Sequence, residues 1–396
     1  MFKKRGVQKE YGSFFTKHKL WMASATLMGT IIGAGVLGIP YVVAQSGLLL
    51  GIINILGVGI ALLILHLCLG EITLRTKKLH QLTGYIEKYL GRKGKYFMIF
   101  SMTVGIYGAL IAYIIGEGEI LKIIFGGNAL IYALLFFAIA SYVIYKGVKT
   151  TGRTDMVIIA LMIVIIIAIG IFSFNKIDAA NYTGIYWANI FLPYGVVLFA
   201  FVGTAAIPEL REELEKNKKQ MKKAIIIGSI IPIVLYIIFA LIVIGIIGLQ
   251  NFNSLAPNER IATIALGIFA DKYLLIAANI FAALAMFTSF IGLGLALKDM
   301  YEIDLKIHKT IAFIFTILPP LIIALTGLAQ FIAVLDFTGA IAGGVDGILI
   351  MLAFWAAKKH GDRKPEYSMN IGKIVTVALV MMFGLGILYQ LWMTFF

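Results

Sequence analysis

The stretch GTIIGAGVLGIP, residues 29–40, decides how this chain is read. Four of its twelve residues are glycine and the last is proline, yet the sequence on both sides is as apolar as a membrane span. Glycine and proline are the poorest helix formers. The Gly29-xxx-Gly33 spacing lets two membrane helices approach closely, which accounts for two of the glycines. A helix interrupted near Gly33-Ala34-Gly35 accounts for all of them. Unwound backbone inside a bilayer is tolerated only where it is buried in protein or lines a cavity. Free N–H groups at such a break, and the positive end of the second half-helix, suit a carboxylate.

Composition places the break in a membrane protein. The chain has 396 residues, of which 61% are hydrophobic and 14% charged, with a mean hydropathy of +0.96. Soluble domains carry about 25% charged residues. Apolar runs long enough to cross a hydrocarbon core of ~30 Å recur along the whole length. Eleven spans are expected, at about 21–44, 48–70, 96–115, 130–145, 156–174, 190–207, 224–249, 273–297, 311–327, 331–357 and 374–395. The fold class is therefore an all-α polytopic membrane protein. The polar stretches 75–95 and 209–223 read as loops, and no soluble domain is left over.

Basic residues set the orientation, because Lys and Arg gather in cytoplasmic loops. With the N-terminus inside, the tail (Lys3, Lys4, Arg5, Lys9, Lys17, Lys19) and the inner loops hold 30 of the 34 basic residues. The outer side keeps Lys122, Lys176, Arg260 and Lys272. The net charge of +14 is thereby a set of topological anchors facing an anionic leaflet, and no nucleic-acid partner is implied. The first apolar run is too long for a signal peptide and is read as a retained span. Cys68 is the single cysteine, so no intrachain disulfide can form, and it reads as a small apolar filler.

A broken first span predicts a partner. Transporters of this kind are built from inverted repeats with a matching break in the second half. Five spans later comes FLPYGVVLFAFVGTAAIPELREE, residues 191–213, with Gly203-Thr204 in mid-span and Pro208 beyond. Repeat one would cover about 20–175, repeat two about 188–357, and an additional helix about 374–395.

The stretch 29–47, GTIIGAGVLGIPYVVAQSG, resembles the first-span signature of the amino acid/auxin permease family, within the amino acid–polyamine–organocation superfamily. IPELREE at 207–213, IIGSIIPIVLYIIF at 226–239 and FTSFIGLGLALKD at 287–299 add to the resemblance, the last two being most similar to bacterial aromatic amino acid permeases. The resemblance implies the leucine-transporter fold, a five-plus-five inverted repeat with discontinuous helices 1 and 6. It also implies an amino acid substrate carried uphill by a sodium or proton gradient, with no other cofactor. Backbone N–H groups of Gly33, Ala34 and Gly35 would hold the substrate carboxylate. Backbone carbonyls in the run from Phe199 to Gly203 would receive the ammonium, and Phe199, Phe201 and Tyr107 would lie near the side-chain pocket. Valine at Gly33 or Gly35 is then expected to abolish binding while the chain still inserts and folds.

Two coupling ions stay open. In sodium-coupled members of the fold, an Ala-x-x-Thr-Ser run in span eight supplies one carbonyl and two hydroxyls. Here that run is Ala285, Thr288 and Ser289, and Gly29 and Ile32 would add carbonyls from the first break. The plainer alternative is that the two hydroxyls bond back to their own helix. For protons, carboxyls within spans are the candidates. Asp346, in GAIAGGVDGILI at 339–350, is the most clearly intramembrane, and its neighbours Gly344 and Gly347 predict local irregularity there. Asp336 precedes it, and Glu117 and Glu119 stand at the outer end of span three. His66, five residues before Glu71, reads as a histidine bonded to a nearby carbonyl, and Glu209 reads as an inner-gate latch or a solvated charge.

An enzyme is not indicated: the sequence has no His-Glu-x-x-His, Gly-x-Ser-x-Gly or phosphate-binding Gly-x-x-x-x-Gly-Lys motif. The expected function is cation-coupled amino acid symport by alternating access, in the cell membrane, with no obligate protein partner. An amino acid sensor on a transporter fold is the alternative.

Overall fold

The computed structural model describes residues 19–147, 152–269 and 272–395. The basic tail residues Lys3, Lys4, Arg5, Lys9 and Lys17 lie outside that range. The described chain is helical throughout, with no strands. In sequence order the helices are α1 (Lys19–Ile31), α2 (Gly35–Ser46), α3 (Leu48–Arg75), α4 (Leu82–Phe125), α5 (Ala129–Lys146), α6 (Gly152–Phe172), α7 (Tyr194–Phe201), α8 (Ala206–Glu213), α9 (Met221–Ser254), α10 (Ala262–Phe269), α11 (Lys272–Ile303), α12 (Lys309–Leu325), α13 (Phe331–Thr338), α14 (Gly344–His360) and α15 (Lys373–Phe395). Among the described residues, eight spans are long and apolar enough to cross a membrane, nine if the bent pair α1–α2 counts as one, and α6 and α12 supply shorter apolar helices. Helix is the form an apolar run must take in lipid, because it satisfies its backbone internally.

The two breaks lie at the centre of the bundle. The pair α1–α2 bends by 57° across Ile32, Gly33 and Ala34. Pro40 is not the breaker, for it sits inside α2. The break falls upstream, among the glycines. The stretch α7–α8 is interrupted over residues 202–205 and is 78% buried, whereas α15 is only 17% buried at the periphery. A third irregularity, a π turn at Gly339–Gly343, joins α13 to α14, as the glycines around Asp346 predict. Such turns interrupt the regular ladder and recur at functional sites.

Close approach needs small residues. A Cβ on Gly35 would lie 2.5 Å from Ala200 Cα, so α2 and α7 touch backbone to backbone. A Cβ on Gly195 would lie 2.2 Å from Asp336 Oδ1. The Asp336 carboxyl faces the N–H groups of Gly195 and Val196 and the Gln390 amide. It therefore caps the first turn of α7, a structural place for a residue expected as a proton-coupling candidate.

Both polar stretches expected as loops contain helix. The amphipathic start of α4, before a kink at Gly91, buries Leu82, Tyr85 and Ile86. In α8, Arg211 is buried with Ala206, Ile207 and Leu210. Its guanidinium donates to the carbonyls of Lys78 (3.1 Å), Thr76 (2.6 Å) and Lys77 (3.0 Å) and to the Tyr85 hydroxyl (2.7 Å). A loop from 361 to 372 folds over the same end. Buried Glu71 pairs with Arg75 at 2.7 Å and accepts from Ser368 (3.0 Å) and the Met369 N–H (2.5 Å). Exposed Asp362 bonds Lys88 and the Lys77 N–H, and these contacts, that to Lys88 foremost, hold its carboxyl below the usual range.

The four oxygens around Arg211 need a planar fork of donors, which lysine lacks. Arg211→Lys, although it keeps the charge, is expected to lower the melting temperature of the purified protein by several degrees. An unchanged melting temperature would show that the guanidinium does not tie α8 to the loop after α3.

Candidate functional site

The three irregular segments share one cavity. It measures about 80 Å³ and is lined by Gly33 and Gly35 from the first break, by Phe199, Val202, Thr204 and Ala205 from the second, and by Thr338, Gly339, Ala342, Gly343 and Asp346 from the π turn and its exit. The helix α4 closes it with Ser101, Gly105, Ile106, Ala109 and Tyr113. A larger cavity of about 440 Å³ shares Thr30, Leu82, Met102, Ala205 and Leu293 with it and runs past Glu209, Glu212, Glu213 and Asp299. The site is thus reached from the end where the Lys- and Arg-rich loops gather. At the opposite end, Arg260 donates to the Tyr41 hydroxyl at 3.1 Å and stacks 5.0 Å over its ring.

Each break leaves backbone groups without helical partners. Around the first, Ile32 N–H reaches Met28 O (2.7 Å) and Gly33 N–H reaches Ile31 O (3.1 Å). No side chain caps α2, whose N-cap is Ala34. Tyr113 closes in on this break: its hydroxyl bonds Ser289 and the Ala34 backbone and lies 2.9 Å from where a Gly33 Cβ would stand. Buried Tyr236 bridges the two breaks, its hydroxyl 2.9 Å from Ile31 O and 3.0 Å from Ala200 O. At the second break, Gly203 N–H donates to His66 Nε2 at 3.3 Å, and His66 Nδ1 lies 3.3 Å from Ser229 Oγ. An accepting Nε2 puts the ring proton on Nδ1, where it donates to Ser229. His66 therefore serves a backbone N–H, where a carbonyl was expected.

The expected site residues divide. Gly33, Gly35 and Phe199 line the small cavity, with Ala34 between the two glycines and buried. Phe201 and Gly203 do not line it: the Phe201 ring packs 4.9 Å from that of Tyr236, and a Cβ on Gly203 would meet Ile31 and Leu27. Tyr107 also lies elsewhere, donating to Phe315 O at 2.5 Å. The place expected for it is held by Tyr113. Of the sodium set, Gly29, Thr288 and Ser289 share the wall of the larger cavity, while Ala285 and Ile32 are buried. The Thr288 hydroxyl donates back to Ala285 O at 3.0 Å, the intrahelical bond raised as the plainer alternative, and its lone pairs remain for a cation. Glu209 is exposed at the mouth of the larger cavity.

Asp346 is 6% exposed. Thr204 Oγ1 donates to its Oδ2 at 3.3 Å, and its Oδ1 has no donor. Glu117 is buried inside α4, which runs ten residues past the expected end of that span at 115, and its Oε1 also has no partner. Glu119 pairs with Lys122 at 3.4 Å. Among the described residues no group of three or more His, Cys, Asp or Glu is placed to hold a metal ion.

The sequence profile of the tryptophan/tyrosine permease family matches residues 16–392, nearly the whole chain. The chain belongs to that family. Glutamine transporter 2 of Aliivibrio fischeri is 25% identical over 93% of this permease and 98% of the relative. Tyrosine-specific transport system 1 of Haemophilus influenzae is 26% identical over 90% and 92%, and the tryptophan-specific transport protein of the same organism is 24% identical over 91% and 92%. The permease also shares its fold with MhsT, solved in complex with L-phenylalanine, at a TM-score of 0.70 over 94% of this chain and 98% of that one, with 16% identity. This is an amino acid permease of the leucine-transporter fold.

The two cavity glycines answer to substitution differently. A Cβ at Gly35 meets backbone, which cannot give, so Gly35→Ala should destabilise by about 1–3 kcal/mol through overpacking. That corrects the expectation that Gly35→Val would leave folding intact. A Cβ at Gly33 meets side chains alone, the end of Tyr113 closely and Ser289 at ordinary contact, so Gly33→Ala should keep the melting temperature and lose substrate affinity. Equal melting temperatures for the two variants would contradict this assignment.

Proposed function

We propose that this permease is a secondary active amino acid transporter of the amino acid–polyamine–organocation superfamily, working by cation-coupled symport and alternating access. The carrying observation is the cavity lined jointly by both helix breaks and the π turn. In this reading the break and the start of α2 offer N–H groups to the substrate carboxylate at Gly33, Ala34 and Gly35, the carboxylate taking the place of Ile31 O at Gly33 and of the Tyr113 hydroxyl at Ala34. The broken end of α7 offers carbonyls to the ammonium, and Phe199 contacts the side chain. The two breaks belong to a five-plus-five inverted repeat, and the N-terminus lies inside a cell membrane crossed eleven times. The larger cavity then makes this an inward-facing state. The names of the relatives, for tyrosine, tryptophan and glutamine transport, support an amino acid with an uncharged side chain as substrate.

The coupling cation is Na⁺ or H⁺. The shared wall of Gly29, Thr288 and Ser289 supports sodium, which binds neutral oxygens. The buried Asp346 carboxyl supports a proton. Uptake into proteoliposomes under separately imposed gradients decides between them. If sodium drives transport, Thr288→Ala removes a ligand worth ~1.5–3 kcal/mol, so sodium affinity falls roughly tenfold or more and Asp346→Asn keeps sodium dependence. If protons drive it, Thr288→Ala is mild and Asp346→Asn loses accumulation while exchange survives. Accumulation under neither gradient would refute symport.

Orientation has its own test. A single cysteine at Lys218 should be labelled only from the cytoplasm, and one at Asn253 only from outside. Reversed labelling would refute the sidedness.

A further inference from the structure

The side of the cavity farthest in sequence from the first break carries one polar atom that nothing in the protein satisfies. Asp346 stands three residues beyond the π turn, in the first turn of α14, and is 6% exposed. Its Oδ2 has the Thr204 hydroxyl. Its Oδ1 has no hydrogen-bond partner. Ser101 lies beside the carboxyl, but its one proton is engaged with Ala342 O at 2.8 Å. The cavity wall is otherwise largely apolar, with Ile31, Ile106, Phe199, Val202 and Leu293 among its lining. A buried acceptor without a donor carries the full cost of its desolvation, and native proteins seldom leave one unexplained.

We propose that Asp346 reads the substrate side chain: its free oxygen accepts a hydrogen bond from an N–H or O–H group there, so a side chain that carries a donor binds in preference to its isostere without one. The inference rests on the breaks holding the α-carboxylate and α-ammonium, which leaves the side chain as the part that reaches Asp346. A substrate with a donor completes the carboxyl. An isostere without one buries it still unpaired, and sites built in this way reject such analogues far more strongly than apolar pockets reject a change of size. This role is separate from ion coupling, because it concerns which substrate binds, whatever gradient drives it.

The test is competition in substrate counterflow with the full chain in proteoliposomes, where no ion gradient is imposed. Matched competitors are tyrosine against phenylalanine, tryptophan against 1-methyltryptophan, and glutamine against methionine. The wild type should favour the donor of each pair by roughly a hundredfold or more. Asp346→Asn keeps an accepting oxygen and should keep the ranking with a smaller ratio. Asp346→Ala should bring the ratios near one. A wild type with no donor preference overturns the proposal, as does Asp346→Ala with wild-type ratios. Equal weakening of every competitor in Asp346→Ala also overturns it, because that places the ammonium at Asp346. Should the alanine variant fail to fold, the wild-type pairs and the asparagine variant still decide. If no amino acid exchanges at all, the transport reading itself fails, an outcome distinct from exchange without donor preference.

Discussion

Backbone groups left without helical partners inside an apolar bundle are the constraint on which the rest of this structure depends. Every N–H and C=O at membrane depth needs a partner. The chain opens its helices at Ile32–Ala34 and at 202–205 and must then satisfy what it has exposed. The packing follows from that need. Glycine at position 35 lets α2 lie against the Ala200 backbone, and Asp336 covers the start of α7. The broken stretch 194–213 and the π-turn stretch 331–360 are 78% and 72% buried.

Side chains from otherwise regular helices supply the partners. Tyr236 of α9 shares its one hydroxyl proton between a carbonyl from each broken helix. His66 of α3 takes the N–H of Gly203, and Tyr113 of α4 meets the Ala34 backbone. These three do not fill every vacancy. No side chain caps α2 or α8, and the residues around those helix starts line the cavity. An amino acid zwitterion carries the complementary groups, an anion for free N–H and a cation for free C=O. In the proposed reading, burying one there replaces missing backbone partners and gives a physical reason for the breaks to face a shared space.

Much of this was legible in the sequence, and the limits have a clear cause. Glycine density marked the first break, a glycine-threonine pair and a later proline marked the second, and glycines flanking Asp346 marked the π turn. Each is a backbone property written in residue type. Side-chain direction is not written that way. Tyr107 and Tyr113 lie six residues apart on one helix, about 120° apart around its axis, and composition does not say which faces the break. Phe199 and Phe201, two apart, point to nearly opposite sides, one to the cavity and one to Tyr236. The role of His66 was hidden because its partner is a backbone N–H 137 positions away. A buried polar side chain, as at Arg211, makes an amphipathic helix face read as a loop.

The central claim is that the two breaks hold the α-carboxylate and α-ammonium of an amino acid. Competition binding to the purified protein tests it directly, with the free amino acid, its methyl ester and its decarboxylated amine as competitors against a radiolabelled parent. The account predicts that the free amino acid displaces the label while the ester and the amine, which lack the anion, fail to do so at a hundredfold higher concentration (roughly the 2.7 kcal/mol of a charge-assisted contact). An ester or amine that competes as well as the free amino acid would contradict it.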